Sequence, residues 1–358
     1  MAQAKIAVAL SGGVDSATAA SLLLGQGFDV IGLTLRLWRE PPESDESEAA
    51  ATTSPTEGAQ QVADALGIPL HVVDAREQFK QCVVDRFIAR YAAGYTPNPC
   101  LYCNRHVKFG LLLRKAFALG AHRMATGHYA RTRLSPGGRT CQLLKGVDAR
   151  KDQSYVLYML GQDELPHILF PLGELTKDEV RALARQRRIP AARAPESQDL
   201  CFVPDNDYRR FLRRYAPEAF EPGPILDSSG RVIGQHKGLA AYTIGQRGGI
   251  GIAAPEALYA LRIDVGRNAL IVGPKRELGS TELIAEDVRW VNGGPPDCPV
   301  SATVKIRYRA RLAEAQVDPL PGARASVRLF EPLRDITPGQ GVVFYDGDVV
   351  LGGGLITR

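Results

Sequence analysis

Two groups of residues have types and spacings that could do chemistry. The first is the run Ala9, Leu10, Ser11, Gly12, Gly13, Val14, Asp15 and Ser16, directly after the apolar stretch Ile6, Ala7 and Val8. A strand that feeds a glycine turn opening a helix aims several backbone N–H groups at one point, and the helix dipole adds positive potential there. Such a place binds anions, phosphates above all. Ser11 and Ser16 can add hydroxyl donors, and Asp15 can hold a Mg²⁺ that bridges phosphates. Two glycines alone would mark no more than a tight strand-to-helix turn. The second group is cysteine: Cys100 and Cys103 stand in C-x-x-C spacing, and Cys201 lies far along the chain. Cys103 falls between a proline-rich turn and a helix start, near Arg105 and Lys108, where a thiolate is favoured. A lone cysteine is more often a buried small hydrophobe than a reactive group. Cys82, Cys141 and Cys298 have no partner in the sequence and are read as structural.

These groups need a frame. Residues 6–10 read as a buried strand and a helix begins near Val14 to Ser16, with 30–37 as a second parallel strand. Residues 57–66 are helical, with Val62, Ala65 and Leu66 on one face and Gly67 as the cap. A strand over 69–73 and a helix from 77 to about 93 follow. Another helix, after Cys103, carries Leu111, Leu112 and Leu113. The turn Thr126, Gly127, His128 and Tyr129 follows a short strand and reads as a pocket edge. Lys151 to Tyr155 opens an apolar helix through Leu160, Thr176 and Glu179 form a capping box, and 194–203 reads as an extended segment. This alternation predicts a doubly wound α/β domain with ligands at the carboxyl ends of its strands. The polar stretch 40–56 cannot bury enough apolar surface to order itself and is read as a mobile loop. Near Asp205 the character changes. A helix studded with Arg209, Arg210, Arg213 and Arg214 leads into 223–274, a small β-rich domain. Short strands then recur at roughly ten-residue intervals, as in a small barrel. The expected domains are 1–205, 206–275 and 276–358.

A chain of 358 residues is too long for one typical core, which agrees with two or three domains. A hydrophobic share of 45% with 23% charged residues is that of a soluble globular protein. No apolar run approaches the roughly 20 residues a membrane span needs. The chain enters its first strand with no room for a signal peptide, so the expected location is the cytoplasm, with no membrane partner. There, six cysteines point to chemistry or metal binding more than to a disulfide scaffold. A net charge of +5 permits nucleic acid binding without proving it. No G-x-x-x-x-G-K-[ST] string occurs. Gly249 to Ala254 fits G-x-G-x-x-A, but Pro255 follows at once, so those glycines are read as serving a loop. His71, His106, His122, His167 and His236 lack paired spacing for zinc.

The S-G-G-x-D-S string resembles the PP-loop of the ATP pyrophosphatases. Further strings begin at Thr96-Pro-Asn-Pro and continue with Cys103-Asn, Thr126-Gly-His-Tyr, Lys151-Asp-Gln-Ser, Ser197-Gln-Asp-Leu-Cys201-Phe, Tyr242-Thr-Ile-Gly-Gln-Arg and Thr337-Pro-Gly-Gln340. Together, over nearly the whole chain, they resemble the tRNA-uridine 2-sulfurtransferase (tRNA-specific 2-thiouridylase) family. The resemblance implies a transferase that thiolates the wobble uridine, U34, of tRNA: ATP adenylates the C2 oxygen, sulfur replaces it, and AMP and pyrophosphate leave. It implies ATP contacts at Ala9, Leu10, Ser11, Gly12, Gly13, Val14, Asp15, Ser16, Leu35 and Gly127. Cys201 would carry sulfur as a persulfide and Cys103 would free it, leaving a Cys103–Cys201 disulfide to be reduced. Asn98, Pro99 and Cys100 would meet the target base, flipped out of its stack. His128, Lys151, Asp152, Gln153, Arg307, Tyr308 and Gln340 would contact tRNA. The implied cofactors are ATP and Mg, and the partners are the tRNA anticodon stem-loop and a sulfur donor such as a cysteine desulfurase or sulfur-relay protein.

Cys100 departs from the pattern, because many members resembling this chain have an Asp there, credited with general acid/base work. Three readings stay open: Cys100 as a tolerated small residue, Cys100 and Cys103 as a redox pair, or Cys100, Cys103 and Cys201 as ligands of a [4Fe-4S] cluster with one iron open to sulfide. In Lys305, Ile306, Arg307, Tyr308, Arg309, Ala310 and Arg311, a strand's period of two would put all four cations on one face, suited to phosphate contact. Against that stands an ordinary solvated barrel face, and the same choice holds for the Arg209 to Arg214 helix. Other readings of the whole chain are a different PP-loop ligase and a non-catalytic RNA binder that senses ATP. Neither accounts for the cysteine segments.

Overall fold

The computed structural model describes residues 3–41, 55–193, 200–308 and 310–357. The chain begins with β1 (Lys5–Ala9), α1 (Val14–Gly25), β2 (Asp29–Arg36), α2 (Pro55–Leu66) and β3 (Leu70–Asp74). Two long helices follow, each of three continuous pieces with a wide π-helical stretch in the middle. They are α3 (Arg76–Phe79, Lys80–Val84, Asp85–Ala92) and α4 (Pro99–Tyr102, Cys103–Leu112, Leu113–Ala118). Then come β4 (Arg123–Ala125), the hairpin β5 (Ala130–Leu134) and β6 (Cys141–Lys145), β7 (Ile168–Leu169), and α5 (Lys177–Gln186).

Five strands form a parallel sheet in the order β3-β2-β1-β4-β7. Ile6, Ala7 and Val8 are buried because helices cover both faces, which is why β1 reads as an unbroken apolar run. The winding direction reverses between β1 and β4. A ligand crevice therefore opens at their carboxyl ends, where the glycine turn and the Thr126 turn emerge.

The helical expectation for 57–66 holds, but its buried face is Ala59, Val62 and Ala63, and Ala65 is exposed. The reason is a close approach at the start of α2: a Cβ on Gly12 would come 2.9 Å from the Gly58 carbonyl carbon, so this end is turned onto the glycine loop. The helix expected from Lys151 to Leu160 does not form. Only a short turn, Ser154–Val156, is helical. The Asp152 carboxylate accepts from the Gly146 and Ser154 N–H groups and the Ser154 hydroxyl, which bends the chain, and the apolar run beyond it is buried as irregular structure.

Helix α6 (Tyr208–Tyr215) buries Phe211 and Leu212. Its arginines are not simply solvated: Arg210 and Arg214 hold the Glu40 carboxylate, which is 3% exposed, Arg209 donates to the Ala241 carbonyl at 3.2 Å, and Arg213 lies over the Phe220 ring. The stretch expected to be mobile falls mostly on 42–54, outside the described residues, but Glu40 itself is buried. The segment expected to be extended over 194–203 lies outside them at 194–199, and from Leu200 to Val203 the chain turns, with the Val203 N–H on the Leu200 carbonyl.

The middle unit is a four-stranded sheet, β8 (Gly223–Leu226), β9 (Val232–His236), β10 (Leu258–Asp264) and β11 (Ala269–Pro274), around Ile225, Ala260, Leu270 and Val272. Gly249 and Gly251 sit in a loop at φ +80° and +75°, as the Pro255 argument implies. The last unit has β12 (Ser280–Trp290), β13 (Val300–Lys305), β14 (Ala313–Leu320), β15 (Arg324–Leu333), β16 (Gly341–Asp346) and β17 (Val349–Ile356). Because β12 pairs with both β15 and β17, these six strands close into a barrel. The β5–β6 hairpin joins the same sheet where Leu144 lies opposite Val349. Strand β13 ends at Lys305, so the cationic strand expected through Arg311 is not there: Arg307 sits in a bend, drawn out by its bonds to the Ile244 carbonyl and the Thr337 hydroxyl. Arg309 lies outside the described residues. Among the described residues, no helix is long and apolar enough to cross a membrane.

Candidate active site

The glycine turn is held by its own serines. Ser11 N–H donates to Ser16 Oγ at 3.2 Å, the two hydroxyls lie 3.2 Å apart, and Ser16 Oγ also reaches the Gly13 carbonyl at 3.2 Å. Gly13 caps α1 with no side-chain bond, which leaves first-turn N–H groups for a ligand. Gly12 has φ +79°, a conformation glycine adopts without strain. Gly127 packs from the neighbouring turn so tightly that a Cβ there would lie 2.6 Å from Ser16 N. Ala9 to Ser16 and Gly127 therefore share one crevice, and Leu35 lies near the end of the adjacent strand β2.

Asp15 is not an open carboxylate. Lys177 Nζ lies 2.7 Å from both of its oxygens, and the Tyr129 hydroxyl donates to it at 2.8 Å. Lys177 is the first residue of α5, fixed by the reciprocal Thr176–Glu179 capping box and by its own N–H on Asp148. Its side chain is 8% exposed. A single carboxylate together with substrate phosphates is a donor set that suits Mg²⁺, and here both Asp15 oxygens are taken by Lys177. Sequence reasoning missed Lys177. The available signal was the capping box, which starts a helix with lysine just after β7.

The bulged helix α4 presents the cysteines. Asn98 caps it, its Oδ1 accepting from Cys100 N at 3.0 Å, and Pro99 occupies the first turn, where its missing N–H costs nothing. Cys100 is exposed and Cys103 buried. The expectation of a thiolate at Cys103 is overturned. Its N–H is already bonded within the helix and Arg105 pairs with Asp287, so burial dominates and pushes the thiol up to about 12, with Lys108 opposing. Cys201 is open to solvent yet lies in a crowded cleft, which pushes its thiol up to about 11. Its neighbour Phe202 anchors the turn among Phe79, Phe87 and Phe211, and the Phe202 carbonyl accepts from Glu40 N.

The three cysteines are close enough that charge on Cys100 or Cys201 is felt at Cys103, and charge on Cys100 at Cys201. None of the six cysteines, all within the described residues, forms a disulfide. Among the described residues no three His, Cys, Asp or Glu side chains converge to hold a metal. In this arrangement the three thiols are neighbours but do not form a preassembled metal site.

The turn after β4 links the two halves. Gly127 touches the glycine loop, while the His128 ring lies 5.8 Å from Phe109 of α4. His128 is buried with Nδ1 2.8 Å from the Thr126 hydroxyl, and burial first, then Lys108, holds its imidazole neutral. Several residues expected to contact RNA are engaged inside the chain. Asp152 is buried as described above, Gln153 accepts from Tyr129 N at 3.0 Å, and Gln340 Nε2 donates to the Thr96 carbonyl at 2.7 Å. Arg307 is likewise bonded, while Lys151 and Tyr308 are half-buried. A separate cavity of about 480 Å³ is lined by Arg105, His106, Phe109, Arg114 and Arg289 among others, and it includes neither the glycine turn nor a cysteine.

Residues 4–205 match the family model described as tRNA methyl transferase HUP domain, 209–274 the tRNA methyl transferase PRC-barrel domain, and 280–356 the aminomethyltransferase beta-barrel domain. The tRNA-specific 2-thiouridylase MnmA of Roseiflexus castenholzii is 50% identical over 369 residues, covering 99% of this chain and 100% of its own. That of Magnetococcus marinus is 48% identical over 353 residues, 98% of each chain. Among solved structures, the U34-tRNA thiolase NcsA from Methanococcus maripaludis, with its [4Fe-4S] cluster, matches at TM-score 0.34 and 23% identity over 61% of this chain and 69% of its own. A 4-thiouridine synthetase–RNA complex with bound ATP matches at 0.36 and 16%, over 60% and 51%. The full-length identities reach from the glycine loop through the barrel, across every segment that builds the site, and the chain belongs to the tRNA-specific 2-thiouridylase family.

Proposed function

We propose that this protein is a tRNA-uridine 2-sulfurtransferase that converts U34 to 2-thiouridine at the expense of ATP. One observation carries the reading: the Thr126 to His128 turn packs on the glycine loop with Gly127 and on the cysteine helix with His128, so a nucleotide site and a thiol site adjoin. The proposed division of labour follows the three units, 1–205 for chemistry, 206–275 as a connector and 276–358 for tRNA. The proposed setting is the cytoplasm.

The C2 oxygen of uridine is a poor leaving group. Its attack on the α-phosphate of ATP expels pyrophosphate and leaves it as an adenylate, which is a good one. The first-turn N–H groups of α1 and the Ser11 and Ser16 hydroxyls would hold the phosphates, Asp15 would hold Mg²⁺, and Lys177, released from Asp15, would face the phosphates. Bound Mg²⁺ supplies neutralising charge to the departing pyrophosphate. The donor leaves Cys201 as a persulfide, whose outer sulfur bonds to C2. Cys103 then attacks Cys201 Sγ. The old S–S bond breaks, its electron pair stays on the transferred sulfur, AMP departs with the former C2 oxygen, and a Cys103–Cys201 disulfide remains for a dithiol to reduce. Lys108, which lowers both raised thiols, is the cation placed to help them ionise. Asn98, Pro99 and Cys100 would meet the flipped base. Lys151, Arg307 and Tyr308 would meet the RNA, with His128, Asp152 and Gln153 supporting them from within.

The test is purification without oxygen, followed by measurement of iron, acid-labile sulfide and thiolation. Iron-free protein that forms 2-thiouridine, with activity lost in Cys201→Ser while ATP still binds, supports the persulfide route. Stoichiometric iron that disappears in Cys100→Ala overturns it in favour of a cluster. A Cys201→Ser protein that still forms 2-thiouridine removes the role assigned to that residue.

A further inference from the structure

We infer that the barrel turn Pro338, Gly339 and Gln340 is a latch on the target-base segment, and that Gln340 serves the reaction as a positioning residue. Both backbone groups of Thr96 are taken by this one turn: its N–H donates to the Pro338 carbonyl at 2.8 Å, and its carbonyl accepts from Gln340 Nε2 at 2.7 Å. Gly339 lies between them at φ +94°, and a Cβ there would stand 3.0 Å from Thr96 N, from Thr96 C and from Tyr95 Cβ. At Gly339 the approach is to the Thr96 backbone and to Tyr95 Cβ, none of which can swing aside as a flexible side-chain end could.

The turn is itself held from two directions. Gly339 N donates to the Ile356 carbonyl at 2.7 Å and Ile356 N to the Gln340 carbonyl at 2.8 Å, which fixes it to the end of β17. On the other side, the Arg307 guanidinium donates to the Thr337 hydroxyl and, at 3.2 Å, to the Ile244 carbonyl of the middle unit. Thr337 is 1% exposed. A Cβ on Gly245 would fall 1.9 Å from Asp335 Oδ1, so the middle unit presses on the same loop. Thr96 is two residues before Asn98, whose side chain starts the helix that carries Cys100 and Cys103. With Pro97 buried between them, the position of Thr96 sets where that helix begins. The turn thus ties the barrel, and through Arg307 and Asp335 the middle unit, to the backbone just before the base segment, beside the separate Arg105–Asp287 pair farther along the helix.

The inference rests on the proposed role of residues 98–100, and the experiment separates the two. Full-length wild type, Gln340→Ala and Gly339→Ala are compared by hydrogen exchange over residues 95–102 without RNA, by tRNA Kd, and by the single-turnover rate of thiolation. Gln340→Ala is expected to exchange this segment about fivefold faster, the factor for losing one hydrogen bond of about 1 kcal/mol, and Gly339→Ala, crowded against Thr96 at φ +94°, faster than wild type as well. The rate of thiolation falls in both while tRNA Kd stays near wild type. Unchanged exchange in both variants overturns the latch, as does a weakened tRNA Kd in Gln340→Ala with exchange and rate intact, the result for a plain RNA contact. Faster exchange in a protein whose wild type forms no 2-thiouridine would keep the latch and refute the proposed reaction instead.

Discussion

Gly127→Ala adds one carbon where two turns of the crevice touch. The ideal Cβ would lie 2.6 Å from Ser16 N, 2.8 Å from Asp15 C and 3.0 Å from Ser16 Cα, whereas relaxed contacts of this kind need about 3.5 Å. All three atoms are backbone, so no side chain can swing aside. The start of α1 and the turn after β4 must separate by something under an ångström. Gly127 has no positive φ, so alanine suffers no backbone strain of its own and the effect is one of space. Overpacking of this kind costs about 1–3 kcal/mol. If the displacement is taken up in the phosphate-binding N–H groups, ATP affinity falls by about 5- to 150-fold. Titration calorimetry with ATP and Mg²⁺, beside a denaturant midpoint, reads both quantities. Gly137→Ala is the control: its Cβ would meet nothing within 4 Å. Wild-type ATP affinity and stability in Gly127→Ala would refute the reasoning, because the turns would then part without cost.

Alkylation by iodoacetamide tests the raised thiols. The thiolate is the reactive form, so the rate at Cys201 should climb about tenfold per pH unit up to about 11, and at Cys103 up to about 12. A plateau at either residue near pH 9 contradicts the burial argument. Glu40→Ala leaves Arg210 with Asp205 as its acidic partner and leaves Arg214 with the Pro41 carbonyl but no carboxylate. Both arginines are about one-third exposed, which moderates the loss to about 2 kcal/mol, read as a lower denaturant midpoint; an unchanged midpoint means the buried carboxylate contributes nothing net. Lys177→Met takes the internal cation from Asp15. With Asp15 one-third exposed the stability cost is about 1 kcal/mol, and Mn²⁺ alone, followed by its electron-spin signal, should bind more tightly than in wild type. Equal Mn²⁺ affinity counts against Lys177 as the occupant of that place.

Much of the local architecture was legible in residue order. The apolar run into Ser11 to Ser16 specifies a strand, turn and helix because glycine and the first-turn residues act on neighbouring backbone. The Thr176 and Glu179 capping box is likewise a matter of residues three apart, and a run of short strands implies a barrel. Misreadings arose where a side chain took bonds that the residue pattern does not announce, some near in sequence and some distant. Asp152 captures three donors and replaces an apolar helix with a turn, and Arg307 leaves strand geometry to reach Ile244 and Thr337. The site divides in the same way. Its glycine loop and C-x-x-C could be named from the sequence, and their adjacency to Cys201 followed only from the family resemblance. Only tertiary structure decided that Lys177 neutralises Asp15 across 162 residues, that Gln340 holds Thr96 across 244, and that Cys103 is a buried thiol. Backbone conformation is set largely by near neighbours, whereas the charge state and bonding partner of a side chain depend on whatever the fold packs against it.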